Sequence, residues 1–448
     1  MKKEIQFFLI IVLATSLVTS LRAETTPSAK TPSPVLPTCE ACKIVLISPR
    51  GIIKGDLEIS DLQKKIKTSA TPALLLEQLG WLFVSRARSA NDPGLYNLAE
   101  QCAVCIASHE PESAAALLLR GHALQSMHKF KEAEPIALQL VQKRGASFDY
   151  GLLGDILMDR GQVAQGIEAY QKMMELKPDL HAYTRGAHAR WITGDLDGAL
   201  ELISLATSAG SSRNAEATAW SYTRRAAYEF QNHQLSKSIL SVNAALELQP
   251  DYAAALFFRG RIELAQGQTN NAIKSLERAA ELNPLPEYQW ILVDALNLAG
   301  RKGEGVVVEA ELNKRGAQED PRTFACYLAT RHDKGDLAVK LCERELSQRA
   351  DIFTHDALAW SLNAAGKFPE ARTQSGIALS EGTEDARLFF HAAIIAEANG
   401  DSKEVARFSQ KATAIQQMLF TSEQQQIAEL NGRLVGAQNQ AKITEIKK

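Results

Sequence analysis

GLLGDILMDRGQVAQGIEAYQKMMELKP, residues 151–178, places a small residue at Gly154, a turn glycine at Gly161, a second small residue at Gly166, an aromatic at Tyr170 and a proline at Pro178. No side chain in it has the makings of a catalytic group. Small residues on two successive helices let antiparallel helices approach closely, so that larger neighbours such as Leu157, Tyr170 and Met173 interlock around them. Proline cannot continue a helix interior and turns the chain into the next unit.

The same pattern recurs along the chain at intervals of roughly 34 residues, the length of a helix-turn-helix repeat. LLLRGHALQSMHKFKEAEPIAL (117–138), YTRGAHARWITGDLDGALELIS (183–204), YTRRAAYEFQNHQLSKSILSVN (222–243), LFFRGRIELAQGQTNNAIKSLE (256–277) and LAWSLNAAGKFPEARTQSGIAL (358–379) align with it. The first small position is Gly121, Gly154, Ala187, Ala226, Gly260 and Ala359; the second is Ala133, Gly166, Ala199, Ser238, Ala272 and Ala371. Turn glycines include Gly161, Gly194, Gly267, Gly300, Gly335, Gly366 and Gly400, and Pro111, Pro178, Pro250 and Pro284 close repeats.

These residues resemble the tetratricopeptide repeat, in particular exported bacterial proteins of that type. The resemblance implies an all-α solenoid of about ten helix pairs stacked into a right-handed superhelix, each repeat touching only its neighbours. It covers residues 71–416 and weakens at 285–318, where Gly305 replaces Ala, and at 319–350, where the second helix is short. The first repeat is irregular, with extra residues around ARSANDPG (87–94). The C-terminal 417–448 reads as a capping helix, with Ile427, Leu430 and Leu434 on one side, followed by a polar tail from Ala437.

Length and composition agree with an array. A chain of 448 residues exceeds a single core, which stops growing near roughly 250–300 residues. Helix formers dominate, and strand-length Val/Ile/Thr runs are nearly absent. With 50 basic and 52 acidic residues the formal charge is −2, which gives no electrostatic footprint for nucleic acid. No nucleic-acid partner is therefore expected; the repeat resemblance implies a protein or peptide partner, with the oligomeric state left open.

Residues 1–23, MKKEIQFFLIIVLATSLVTSLRA, carry Lys2 and Lys3, an apolar run to Val18 and small residues at Ser20 and Ala23, the pattern of a secretory signal peptide. Its apolar run is shorter than the roughly 20 residues of a membrane span, so cleavage and an exported, periplasmic protein without stable membrane insertion are expected, with an uncleaved membrane anchor as the alternative. Residues 24–38 contain four prolines in ETTPSAKTPSPVLP and read as a disordered linker. Residues 39–70 form an N-terminal segment in which KIVLISPRGIIKGDLEIS (43–60) suggests a short β-hairpin, followed by a capping box of Ser60 and Gln63.

No GxGxxG after a strand, P-loop, HExxH or GxSxG occurs, so no enzyme activity and no cofactor are expected. The cysteines stand out instead. CEAC (39–42) precedes the repeats, CAVC (102–105) lies in the first repeat, and Cys102 and Cys105 share a helix face. In an exported chain Cys39, Cys42, Cys102 and Cys105 are expected as structural disulfides joining the leader to the first repeat. Four thiolates on zinc, or unpaired thiols, are the alternatives, and with them a metal- or redox-handling function. Cys326 and Cys342, on the two helices of one hairpin, are candidates for a third bridge. The family resemblance further implies a binding groove lined by the first helices. It places Trp81, His122, Asp155, His188, Arg261, Asp294 and Trp360 at equivalent positions there, with Arg185, Trp191, Arg224, Phe230, Trp290, Asn297, His332 and Asn363 nearby. Aromatic and Arg side chains are the usual interface anchors. The expected function is a scaffold in the cell envelope that holds a protein or peptide in this groove.

Overall fold

The computed structural model describes residues 39–49, 54–90 and 92–446; the signal peptide and linker readings, residues 1–38, lie outside them. Two helices, α1 (Glu40–Val45) and α2 (Lys54–Thr68), lead into ten antiparallel pairs. These are α3 and α4 (Pro72–Ala90, Gly94–His109), α5 and α6 (Ala114–Ser126, Phe130–Lys143), α7 and α8 (Ser147–Asp159, Val163–Leu176), α9 and α10 (Leu180–Ile192, Leu196–Ser208), and α11 and α12 (Ala215–Gln231, Leu235–Leu248). Then come α13 and α14 (Ala253–Ala265, Thr269–Leu282), α15 and α16 (Pro286–Leu298, Lys302–Glu319), α17 and α18 (Pro321–Thr330, Gly335–Leu346), α19 and α20 (Ile352–Ala364, Phe368–Ala378), and α21 and α22 (Ala386–Ala398, Ser402–Ala414). A 3₁₀ turn at Gln416–Met418 and the helix α23 (Thr421–Ile446) end the chain. The chain is thus an all-α solenoid of stacked helix pairs.

The small residues sit where the pairs touch. A Cβ on Gly154 would lie 2.4 Å from the Tyr170 ring, and one on Gly166 would lie 2.7 Å from Met158 Sδ. The turn between paired helices needs one residue in the left-handed region, supplied by glycine at 161, 194, 267, 300, 366 and 400 and by histidine at 128, 233 and 332. Gly335 is not one of these turn residues: it opens α18, and His332 and Lys334 take the positive φ values there.

The N-terminal segment departs from its sequence reading. Residues 43–60 form no hairpin among the described residues; Lys43–Val45 end α1 and Lys54–Ser60 lie in α2. Packing overrides β-propensity here, because Ala41, Cys42 and Val45 bury one face of α1 in the same apolar cluster as Ile106 of α4. Ser60 is inside α2 rather than at its start, so it caps nothing. Gln63, 2% exposed, instead donates its amide to the carbonyls of Val45 and Ile47, both at 2.8 Å, and satisfies the end of α1.

Repeats also touch beyond their neighbours. The ninth and tenth pairs come round onto the third and fourth. Arg349 bridges to Asp159 at 2.6 Å, Thr383 Oγ1 donates to the Ile192 carbonyl, and Ile352, Ala378 and Leu388 share one apolar cluster with Met158, Tyr170, Ala189 and Ile192. The neighbours-only expectation is corrected accordingly: one superhelical turn is short enough to close on itself. Gly161, with φ +73°, lies in that seam, where a Cβ would meet the Ala350 carbonyl oxygen at 2.1 Å.

Two outcomes are expected in chemical denaturation. Gly161→Ala costs more than Gly267→Ala, which has the same φ but open space around it; the second gives only the left-handed penalty of roughly 1 kcal/mol. Gly154→Leu costs about 3 kcal/mol through overpacking against Tyr170. Equal costs at 161 and 267 would show that the seam is not closed in solution.

Candidate functional site

The first helix of each pair faces inward, and together they enclose a cavity of about 1910 Å³. Of the residues expected to line a groove, His122, Asp155, Arg185, His188, Trp191, Arg224 and Arg261 do line it. On α7 and α9, Asp155 accepts from Arg185 Nε and Nη2, both at 2.7 Å, and from Tyr170 Oη at 2.9 Å. This bidentate pair fixes one wall. His122 meets Arg88 at 2.8 Å and the half-buried Trp81 ring at 5.3 Å between centroids. Burial, with Arg88 beside His122 and Arg224 beside His188, pushes both histidines down to about 4, so they are neutral at pH 7.

Trp191 spans the cavity. It stacks on Phe353 of α19 at 5.9 Å and donates Nε1 to Gln231 Oε1 at 2.8 Å. The Arg224 guanidinium lies over Trp191 and Tyr228 and donates to Tyr228 Oη. Among the described residues Arg224, on the cavity wall, has no carboxylate within ion-pair distance, and Glu287, also on the wall, makes no ion pair or hydrogen bond. Burial raises Glu287, with Arg387 and Arg261 opposing that rise. Asp351 is held down to about 2: burial alone would raise it, but Arg322 and Arg349 flank it and the Thr354 amide donates to it.

The other expected anchors are core residues. Trp290 is 0% and Trp360 1% exposed, and Asp294 is buried as well. Trp360 is sealed by stacking on His391 at 4.3 Å and by its Nε1 bond to Thr330 Oγ1. Trp290 and Asp294 are covered by the chain's own C-terminal segment: Trp290 Nε1 donates to Ser422 Oγ, while Ser422 donates N–H and Oγ–H to Asp294 Oδ2 at 2.9 and 2.7 Å. Phe230 is likewise buried, whereas Asn297 and His332 are exposed and Asn363 is half-buried.

That segment, Ile415–Gln424, is the feature the sequence reading missed. Gln417 donates to the carbonyls of Phe230 and Gln231, Arg261 donates to the carbonyl of Met418, and Arg387 makes two bonds to the buried Glu423. Phe420 is 1% exposed, against Trp290 and beneath the guanidinium groups of Arg261 and Arg387. The signal was the apolar trio Met418–Leu419–Phe420 ahead of the capping helix. Ile427 and Leu430 of α23 are buried, and Leu434 packs beside them.

The cysteines divide differently from their spacing. Cys39, Cys42 and Cys105 come together, with Cys42 bonded to either of the other two, while Cys102 is a free buried thiol one helical turn away. Cys102 faces the apolar core, and burial raises its thiol above the ordinary range. Cys326 and Cys342 form no bridge; both are buried free thiols, and Cys342 lies 3.5 Å from Ser361 Oγ. Burial pushes Cys342 up to about 12.

Phe420→Ala is expected to cost about 3–5 kcal/mol and to shift tryptophan emission to the red as water reaches Trp290. Burial pushes Asp294 up to about 6, against two bonds from Ser422 that lower it. A folded-state value above the unfolded one adds stability that is present below about pH 4 and is lost as pH rises through about 6. Asp294→Asn, which cannot ionise, therefore destabilises more at pH 4.5 than at pH 7.5, by about 2 kcal/mol in urea titrations.

A tetratricopeptide-repeat model matches residues 150–180 and a second matches residues 223–284. The chain is 29% identical over 153 residues to Superkiller complex protein 3 of Mus musculus, covering 34% of this chain and 10% of that protein. It is 29% identical over 200 residues to Tetratricopeptide repeat protein 37 of Xenopus laevis, covering 44% and 12%. The matched stretch thus spans about a tenth of the length of these relatives. Among solved structures, yeast Tom70 is similar at 14% identity with a TM-score of 0.38, covering 86% of this chain and 92% of that one. Human IFIT1 bound to m7Gppp-AAAA is similar at 14% identity with a TM-score of 0.49, covering 72% and 76%. The repeat matches fall on the α7–α8 hairpin and on the stretch from α11 to α14, and the close small-residue contacts described above hold those hairpins together: the chain is a tetratricopeptide-repeat protein.

Proposed function

We propose that the chain is a non-enzymatic scaffold of the cell envelope that holds an extended segment of a protein or peptide partner in its inner cavity. The observation that carries this reading is that the inner wall already holds a peptide, the chain's own Ile415–Gln424. It grips main-chain groups of that segment, with Arg261 donating to the Met418 carbonyl and Asp294 accepting the Ser422 N–H, while the segment's own Gln417 donates to the wall's Phe230 and Gln231 carbonyls. Beyond the segment the cavity continues past Arg224, Trp191 and Glu287. A guanidinium on α11 and a carboxylate on α15, neither in an ion pair and both lining the cavity, suit a segment with one charge of each sign, and the aromatic rings give it an apolar bed. The envelope location draws on the leader-like pattern of residues 1–23, and N-terminal sequencing of the native protein tests it: a start after Ser20 or Ala23 is expected.

Binding is tested by capture from an envelope extract with the full chain and two variants. Arg224→Ala and Glu287→Ala are expected to lower recovery of the partner at least about tenfold, on the order of 1.4 kcal/mol, with thermal stability retained. Unchanged recovery by both variants would place the partner on the outer surface instead.

A further inference from the structure

The sulfurs of Cys39, Cys42 and Cys105 lie within 4.8 Å of one another at the junction of α1 and α4. Cys42 Sγ is placed to pair with either of the others, and a sulfur holds one disulfide at a time. Any bridge made here therefore leaves a third sulfur beside it. We infer that this is a thiol–disulfide exchange site in which Cys42 is the central sulfur, alternating between a long-range bridge to Cys105 and a local bridge to Cys39.

The surroundings assign different parts to the three. Cys42 and Cys105 are fully buried in the apolar cluster that also holds Val45, Ile59, Ile66, Val84 and Ile106. Cys39 is half-buried at the start of α1, so it is the sulfur that an external thiol or disulfide can reach. Its Sγ accepts the Cys42 N–H at 3.2 Å, which holds it beside Cys42. Starting from the Cys42–Cys105 bridge, the Cys39 thiolate attacks Cys42 Sγ. The Cys39–Cys42 bond forms as the Cys42–Cys105 bond breaks, and the electron pair leaves on Cys105, which takes up a proton. No net oxidation occurs. Forming the first bridge from three thiols passes two electrons and two protons to an external disulfide such as oxidised glutathione, which leaves as two thiols.

The exchange changes what holds the N-terminal segment. The Cys105 bridge joins residues 63 apart and ties α1 to the first repeat, whereas the Cys39 bridge, 3 apart, lies within the turn that opens α1. In the second state no covalent link ties α1 to the first repeat, and it is held by packing in the cluster and by the Gln63 bonds. Cys102, Cys326 and Cys342 take no part, since each is buried away from the other three sulfurs.

The full chain is equilibrated in glutathione buffers of graded poise, quenched with acid, alkylated under denaturing conditions and mapped without reduction. Wild type is expected to give both linked peptides, with free Cys105 accompanying one and free Cys39 the other. Cys39→Ser should give only the Cys42–Cys105 link, and Cys105→Ser only the Cys39–Cys42 link. Hydrogen exchange over residues 40–45 should be faster in Cys105→Ser than in Cys39→Ser. If Cys105→Ser fails to fold, the wild-type map decides by itself. A single linkage at every poise, or stoichiometric zinc that protects all three thiols, overturns the inference.

Discussion

Arg349 reaching Asp159 across the seam is the contact on which the rest of the architecture turns. Helix pairs joined only to their neighbours make an open spring with an exposed inner face. Here the loop before α19 carries Asp351, and that one carboxylate gathers Arg322 and Arg349 while the latter also holds Asp159. Charges in a partly dry space need partners of opposite sign, and each charge of this cluster has one. The apolar cluster beneath it, from Met158 to Leu388, supplies the burial. What would have been a groove becomes a chamber.

The chamber explains why inward-facing residues differ so much in their freedom. On the side of α7 and α9, Asp155, Arg185 and His188 look into space. On the side of α13, α15 and α21, Arg261, Trp290, Asp294 and Arg387 look into Phe420, Ser422 and Glu423. Asp294 illustrates the cost: it accepts two bonds from Ser422 and still sits in surroundings that disfavour its charge. The wall is therefore built of one kind of position in two settings, open to the cavity in the first half and covered by the chain's own C-terminal segment in the second.

How much of this could be read from residues depends on how local each interaction is. The helix pairs were legible because Gly154 and Gly166, or Gly260 and Ala272, are a few turns apart in sequence and meet within one hairpin. Histidine at three turns hid in plain view, since only a comparison with Gly161 or Gly194 marks His128, His233 and His332 as left-handed positions. The stripe of inward residues was legible as a stripe, but Trp290 and Trp360 are aromatic for packing, and nothing in their own repeats says so. Their covering partners lie 132 residues onward in the case of Ser422 and on the neighbouring pairs in the case of Thr330 and His391. CAVC misled for a simpler reason. Cys102 and Cys105 share a helix face only broadly, and the small rotation between them sends one to Gly80 and Leu119 and the other to Cys42.

The seam also sets a count. In an open array a helix pair can be duplicated or lost with little consequence elsewhere, because every unit sees the same two neighbours. Here the third and fourth pairs are held in angular phase with the ninth and tenth, through Asp159, Gly161 and Ile192 on one side and Arg349, Ala350 and Thr383 on the other. One additional pair between them would rotate the later units past their partners and unseat every cross-turn contact together. The number of repeats is thus a structural constant of this molecule, set by the circumference of a single turn.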